Sequence, residues 1–300
     1  MEIAWIEDFL ALAACMNFSR AAERRNVTQP AFSRRIRALE AWVGVPLFDR
    51  DTHRLALTPA GEAFHPVADD LLQRLARGRQ EARDAAAGET ATLRFISTHA
   101  LSLTFFPAWL RTLEPLIAPS AIQLMADNMQ ACERLMLEGQ GQFLLCHHHG
   151  AAFNRLEGAD FRSIVLGADT ILPVSGRDAA GAPLHELPGT PEAPVPHLAF
   201  SAESGMGRII AAAEAPPAVL RPVFTSHLAI ALKALALDGR GVAWSPLSLV
   251  ADDLLPGGAL VRAGPSTWDI PIEIRLFRPV ARMSPAAEAF WDVAQRGRTA

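Results

Sequence analysis

Tyrosine is absent from the 300-residue chain, and Lys233 is its one lysine. Its basic charge is therefore nearly all arginine, a compositional bias, though the guanidinium fork suits phosphates and guanine edges. Three cysteines, Cys15, Cys132 and Cys146, are too few and odd in number for a disulfide framework, so a reducing cytoplasm is the expected setting. No apolar run approaches the roughly 20 residues of a membrane helix, so no membrane partner is expected. The start carries Glu2, Glu7 and Asp8 in place of a basic leader, so no secretory signal is expected. A net charge of −4 excludes a globally basic nucleic-acid binder, and any DNA contact must rest on a local patch. Gly-x-Ser-x-Gly, P-loop and Gly-x-Gly-x-x-Gly motifs are all missing, which leaves an enzyme little support.

What is present lies near the N-terminus. Residues 17–40 hold Arg20, Arg24, Arg25, Arg34, Arg35 and Arg37 against Glu23 and Glu40. Phe9, Leu12, Ala13 and Met16 follow helical spacing in a first helix over 5–16. Ser19 is placed to cap a second helix, Asn26-Val27 to turn, and Thr28 to cap a third with Pro30 in its first turn. Phe32, Ile36 and Leu39 give the third helix its inward stripe. Its outward face carries Gln29, Ser33, Arg34 and Arg37. Gln29 suits adenine, Arg34 and Arg37 suit guanine, and Ser33 suits a phosphate. This spacing predicts a helix-turn-helix with its recognition helix over 29–43. Ser19, Arg20, Thr28 and Pro30 complete the expected DNA-contacting set.

Residues 45–58 read as two short strands around a polar tip, a wing over 50–55 that brings His53 and Arg54 to the backbone or minor groove. Thr58-Pro59 opens a long helix running to about residue 87. Its stripe of Val67, Leu71, Leu72 and Leu75 is not buried by one helix alone, and a second copy of the chain is the expected cover.

Beyond a hinge near residue 88, strands alternate with helices, the pattern of an α/β fold with two small Rossmann-like lobes. Helices are expected over 103–114, 130–139, 207–215, 225–237 and 285–295. Strands are expected over 92–97, 122–125, 142–147, 198–201, 241–244 and 270–278, with weak strands within 164–174. Ligands bind such sheets at strand carboxyl ends near helix N-termini. Four loops meet that condition: Ser97, Thr98, His99 and Ser102; Cys146 and His147; Ser201, Ser204, Gly205 and Met206; and Thr225 with Ser226. The run Cys146-His-His-His149 offers metal-ligand chemistry, but neighbours on a strand alternate faces and no second cluster stands at zinc-site spacing. No metal or cofactor is expected. Met206, between two glycines, is placed to be reached by oxidant at the cleft mouth, where a sulfoxide would turn an apolar tip polar. Met125, Met129, Met136 and Met283 have less support.

Residues 5–61 resemble the winged helix-turn-helix of LysR-type bacterial regulators. The resemblance is carried by Phe18-Ser-Arg-Ala-Ala22, Thr28-Gln-Pro-Ala-Phe-Ser33, Leu39-Glu40, Gly44-Val-Pro-Leu-Phe48, Arg50 and Leu57-Thr-Pro-Ala-Gly61. His99-Ala-Leu-Ser-Leu103, Gly205-Met-Gly-Arg208, Ala236-Leu-Asp-Gly239 and Ala281-Arg-Met-Ser-Pro285 resemble the family's hypochlorite-responsive subgroup. Leu113 and His227 depart from it, standing where that subgroup has further methionines. The resemblance implies a DNA-binding domain over 1–58, a dimerising linker helix over 59–88 and a periplasmic-binding-protein-like sensing domain over 89–300. One lobe is placed at 92–165 plus 268–300, the other at 166–267. It implies dimers of dimers on two-fold-related promoter DNA, with RNA polymerase as a further partner. Two signals stay open: oxidation of methionine, Met206 first, or a small anionic effector between the lobes.

Overall fold

The computed structural model describes residues 1–49, 55–86, 92–113 and 121–297, and divides into two compact units, Met1–Ala82 and Arg83–Ala300. The first unit holds α1 (Ile3–Cys15), α2 (Phe18–Arg24), α3 (Gln29–Val43), the two-residue strands β1 (Phe48–Asp49) and β2 (Ala56–Leu57), and α4 (Pro59–Ala86), whose end passes into the second unit. Ile6, Phe9 and Leu12 of α1 meet Phe32, Ile36 and Leu39 of α3, all fully buried. Each contributes about 1.5–3 kcal/mol of apolar transfer energy. Left-handed residues Met16 and Asn26 end α1 and the turn after α2. One expectation is corrected here: Asn17, not Ser19, caps α2, its side chain accepting from the Arg20 amide at 3.0 Å. Asn17 sits one residue ahead of the first helical turn, where a short carbonyl side chain reaches back to the free N–H groups.

The wing's base is tied down by the recognition helix. Glu40 Oε1 accepts from the amides of Leu47 (3.0 Å) and Phe48 (3.2 Å). Thr58 Oγ1 donates to the Pro46 carbonyl at 2.8 Å and accepts from the Gly61 amide at 3.0 Å. A Cβ on Gly61 would lie 2.1 Å from the Leu47 carbonyl oxygen, so only glycine admits that approach.

The second unit is built on β3 (Leu93–Thr98), α5 (His99–Thr104), α6 (Phe106–Leu113), β4 (Ile122–Asp127), α7 (Met129–Leu137), β5 (Phe143–His148) and β6 (Phe161–Gly176). It continues with β7 (Val195–Phe200), α8 (Gly205–Ala212), β8 (Leu220–Ser226), α9 (Ala229–Leu237), β9 (Val242–Pro246), α10 (Leu247–Val250), β10 (Leu260–Arg262), β11 (Ile270–Pro279) and α11 (Pro285–Arg296). The sheet order is β4-β3-β5-β11-β6-β9-β7-β8, with β10 also on β6. β3 lies between parallel β4 and β5, and β7 between parallel β8 and β9. These are two βαβ lobes joined by the antiparallel pair β6 and β11, whose register shifts between Ile274 and Arg275.

Four expectations about this unit change. The region 164–174 is part of one continuous 16-residue strand, because β6 serves both lobes. On β11 the change of core falls beyond 268, since Ile270 and Ile272 pack in the second lobe's core and Ile274 and Leu276 in the first's; on β6, Ile164 and Ile171 pack in the first and second cores on either side of 165. The helix expected over 103–114 is two, α5 and α6, separated at Phe105, with Pro107 in the first turn of α6 where its missing N–H costs nothing. Thr225 and Ser226 end a strand instead of opening a helix. Pro222 within that strand is tolerated because β8 is a sheet edge.

Candidate nucleic-acid interface and effector cavity

Along α3, Gln29, Pro30, Arg34 and Arg37 are exposed and Ser33 is half-buried; Ser19, Arg20 and Thr28 are exposed beside them. Thr28 occupies the cap position of α3 without a side-chain cap hydrogen bond, which leaves its hydroxyl to the surface. Arg25 and Arg35 do not belong to this face. Asp8 on α1 is fully buried and accepts from Arg25 Nε at 2.8 Å and Arg35 Nη1 at 3.4 Å, while Glu7 also binds Arg25. Burial works against the Arg25 charge, but Asp8 and Glu7 outweigh it and hold the guanidinium above its ordinary value. These arginines brace the domain, and the outward pair Arg34 and Arg37 stays exposed on α3. His53 and Arg54 lie outside the described residues.

On α4, Val67, Leu71 and Leu75 recur every four residues and are 59, 43 and 46% exposed. Leu72 leaves that stripe and packs against the helix-turn-helix core, as its different helical face requires.

In the second unit, a cavity of about 30 Å3 is walled by strand ends and first helical turns of both lobes. Thr98, His99 and Ala100 come from the β3–α5 junction, Asp127, Asn128 and Met129 from β4–α7, and His147 from β5. The other lobe supplies Phe200, Ser204, Gly205, Met206, His227 and Ala229. Asn128 and Ser204 cap α7 and α8 through the amides of Ala131 (3.0 Å) and Gly207 (3.4 Å). The first turns of these helices bring partial positive charge to the wall.

Three histidines give the cavity its chemistry. His147 is 6% exposed, and its Nε2 donates to Asp169 Oδ2 at 3.2 Å. Asp169 also accepts from Ser248 Oγ (2.6 Å), Ser248 N (3.2 Å) and Thr170 N (2.7 Å). Burial pushes the Asp169 carboxyl up, but the hydrogen bonds from His147, Ser248 and Thr170 outweigh it and keep it below its ordinary value. That carboxylate fixes the ring and turns Nδ1 away from it. His147 Nδ1 and Thr98 Oγ1 are buried and have no hydrogen-bond partner among the described residues. The His99 and His227 rings lie 5.7 Å apart. Burial lowers the His99 pKa, Asp127 partly offsets this, and His227 adds to the lowering.

Of the expected effector residues, Thr98, His99, His147, Ser204, Gly205 and Met206 meet at this wall. Ser97, Ser102, Ser201, Thr225 and Ser226 do not. Ser97 is fully buried and donates to the Thr98 carbonyl, Ser102 donates to the His99 carbonyl, and Ser226 accepts from the Leu228 amide. The Ser201 hydroxyl is buried and Thr225 is exposed on the edge strand. Sequence reasoning missed Asp127, Asn128 and His227. Asn128 had a legible signal, a capping residue directly ahead of a helical run.

Met206 is not at an open mouth. It is 7% exposed and belongs to the core cluster of Ile171, Ile209 and Trp244, so it forms the cavity's floor side by packing. A Cβ on Gly207 would come within 2.6 Å of the Ser201 carbonyl oxygen, which requires glycine behind Met206.

The cysteine-histidine run separates by strand alternation. Cys146 is in the first lobe's interior with Cys132, His147 faces the cavity, and His148 binds Glu157 and Glu273. Burial pushes the Cys132 thiol up to about 12 and raises Cys146 further, so both are poor nucleophiles. Among the described residues, no three His, Cys, Asp or Glu side chains converge as a metal site.

A small winged helix-turn-helix carrying an arginine face, followed by a two-lobed α/β unit with a cavity between the lobes, defines a ligand- or signal-responsive DNA-binding regulator. Residues 3–62 match the bacterial regulatory helix-turn-helix protein, lysR family, and residues 86–298 match the LysR substrate binding domain. The chain belongs to the LysR family of transcriptional regulators, and it is not an enzyme. It is 36% identical to the transcriptional regulator YjiE of Escherichia coli K12 over 97% of this chain and 93% of that one. Full-length HypT from Salmonella typhimurium, described as a hypochlorite-specific LysR-type regulator, is similar at 33% identity, TM-score 0.61, over 100 and 99% of the two chains. Vibrio fischeri DarR, solved in complex with DNA, is similar at 30% identity, TM-score 0.57, over 98% of each. Among the described residues, no helix is long and apolar enough to cross a membrane.

Proposed function

We propose that this regulator responds to hypochlorite or a related oxidant through oxidation of Met206. The observation that carries the reading is the position of Met206: a thioether in the wall of a small cavity between the lobes, within the first turn of α8. Oxidation there places a polar S–O group into packing built for an apolar tip, which changes how α8 sits against the other lobe. The similarity to HypT over the whole chain supports this signal. Among the other methionines of the second unit, Met136 is fully buried, Met125 and Met283 do not line the cavity, and Met129, which does, is 4% exposed in the core with Met136.

In this reading, a cytoplasmic dimer pairs through Val67, Leu71 and Leu75 and assembles into a tetramer. Its α3 helices read a two-fold-related promoter site through Gln29, Arg34 and Arg37, with Ser19, Arg20, Thr28, Pro30, Ser33, His53 and Arg54 on the backbone, and it acts on RNA polymerase there. A second reading, a small anionic effector in the cavity, is favoured by the buried Thr98 hydroxyl, without a partner among the described residues, and by the first turns of α7 and α8 at the wall. Mass spectrometry of the protein after stoichiometric hypochlorite separates them. Selective Met206 sulfoxide supports the first; an unmodified Met206 together with chemical-shift changes on adding small anions supports the second.

A further inference from the structure

We propose that Thr98 provides the hydrogen-bond receptor for the sulfoxide oxygen of oxidised Met206, so that the cavity recognises the product of the modification. This rests on the oxidant reading above. The net step is balanced: a thioether lone pair is given up, an S–O bond forms, the O–Cl and O–H bonds of hypochlorous acid break, and chloride and a proton leave. Sulfur is oxidised by two electrons and chlorine reduced by two. A thioether is a weak acceptor, whereas a sulfoxide oxygen is a strong one. Burying that oxygen without a donor is costly.

The wall that Met206 shares already holds two polar atoms without partners among the described residues, Thr98 Oγ1 and His147 Nδ1. Thr98 brings a rotatable O–H donor. His147 donates from Nε2 to the Asp169 carboxylate, so its Nδ1 is an acceptor and Thr98 is the donor of the pair. Asp169 is itself fixed by Ser248 and the Thr170 amide, so the His147 ring is anchored to β6 and α10. Asp127, His99 and His227 are the other titratable groups of the wall. In the reduced protein the Thr98 hydroxyl has no partner among the described residues, and oxidation supplies its acceptor. The modified state is thereby given one defined geometry instead of a loosened core.

A double-mutant cycle tests the receptor without oxidant, using full-length protein. Met206→Gln puts an amide oxygen where the sulfoxide oxygen would be. Thr98→Val removes the hydroxyl at constant shape, and Thr98→Ser restores it. The expected result is a Met206→Gln/Thr98→Val protein whose Tm falls about 2–4 °C below the sum of the single changes, with the Thr98→Ser pair showing no such deficit. Additive shifts overturn the receptor, whatever hypochlorite does. The same proteins are then treated with hypochlorite and their Met206 sulfoxide quantified. Coupling in the cycle with Met206 left unoxidised supports the receptor and removes the oxidant. At equal sulfoxide content, a larger Tm loss in oxidised Thr98→Val than in oxidised wild type supports both, and an equal loss overturns the receptor.

Discussion

Arg208 of one lobe donates from Nη1 to Oε1 of fully buried Glu133 of the other at 2.8 Å. The same oxygen accepts from the Arg155 amide at 3.1 Å. Arg208 lies two residues after Met206 on α8, and Glu133 lies on α7, whose first residue Met129 also walls the cavity. The Gln130 amide donates to the Glu203 carbonyl at 3.3 Å beside them. The cavity and the interlobe contact are thus parts of the same two helices.

Removing Arg208 leaves the Glu133 carboxylate buried without its cation. Arg208→Ala is expected to destabilise the sensing domain by about 3 kcal/mol, the scale of a broken buried pair. Urea unfolding followed by tryptophan fluorescence reads this; a loss below about 1 kcal/mol would mean that solvent already screens the pair.

A second ion pair contributes to the acid sensitivity of the fold. Arg278, 1% exposed, donates to both carboxylate oxygens of Glu288 and stacks on Trp291. Arg278 pulls the Glu288 carboxyl from its ordinary 4.5 down to about 2, against a smaller opposing effect of burial. A carboxyl lowered on folding binds fewer protons in the native state. Its stabilisation is full above pH 4.5 and is lost as pH falls toward about 2. Glu288→Gln should therefore lower stability at pH 7 and flatten the dependence between pH 4.5 and 2. A variant that keeps the wild-type slope there would assign the acid limb to other groups.

On DNA, Arg34→Ala should weaken operator binding by about 1–3 kcal/mol and relax base preference at one position. Asp8→Ala should act differently: it frees Arg35, leaves Arg25 to Glu7 alone and removes their shared buried anchor, so the first unit melts earlier. Electrophoretic titration on randomised half-sites, paired with thermal melting, separates the two. Base readout is not the role of Arg34 if its loss weakens all sequences equally.

Leu71→Asp puts a carboxylate in the middle of the exposed Val67–Leu75 stripe of α4 and should lower the sedimenting mass by at least half. An unchanged mass would move the subunit contact elsewhere.

The helix-turn-helix could be read from the sequence because its determinants are local: caps, a turn and a period-four apolar stripe within one short segment. Even the roles of Glu40 and Gly61, which fix the wing, fall inside recognisable motifs. The lobe boundary on β11 could not be read, because that strand is shared, and its two halves pack in different cores while looking continuous in sequence. Asp169 illustrates the same limit at the cavity. It stands 22 residues from His147 and 79 from Ser248, and only the sheet register brings the three together. His227 was seen only as a missing methionine, since its pairing with His99 spans both lobes.

The most direct measurement is a footprint on the DNA upstream of the protein's own gene, before and after brief hypochlorite treatment, for wild type and Met206→Leu. The expected result is a wild-type footprint that shifts or strengthens, reverts with methionine sulfoxide reductase, and stays fixed in Met206→Leu although that variant binds DNA normally. A Met206→Leu protein that responds like wild type would contradict the assignment of Met206 as the sensor.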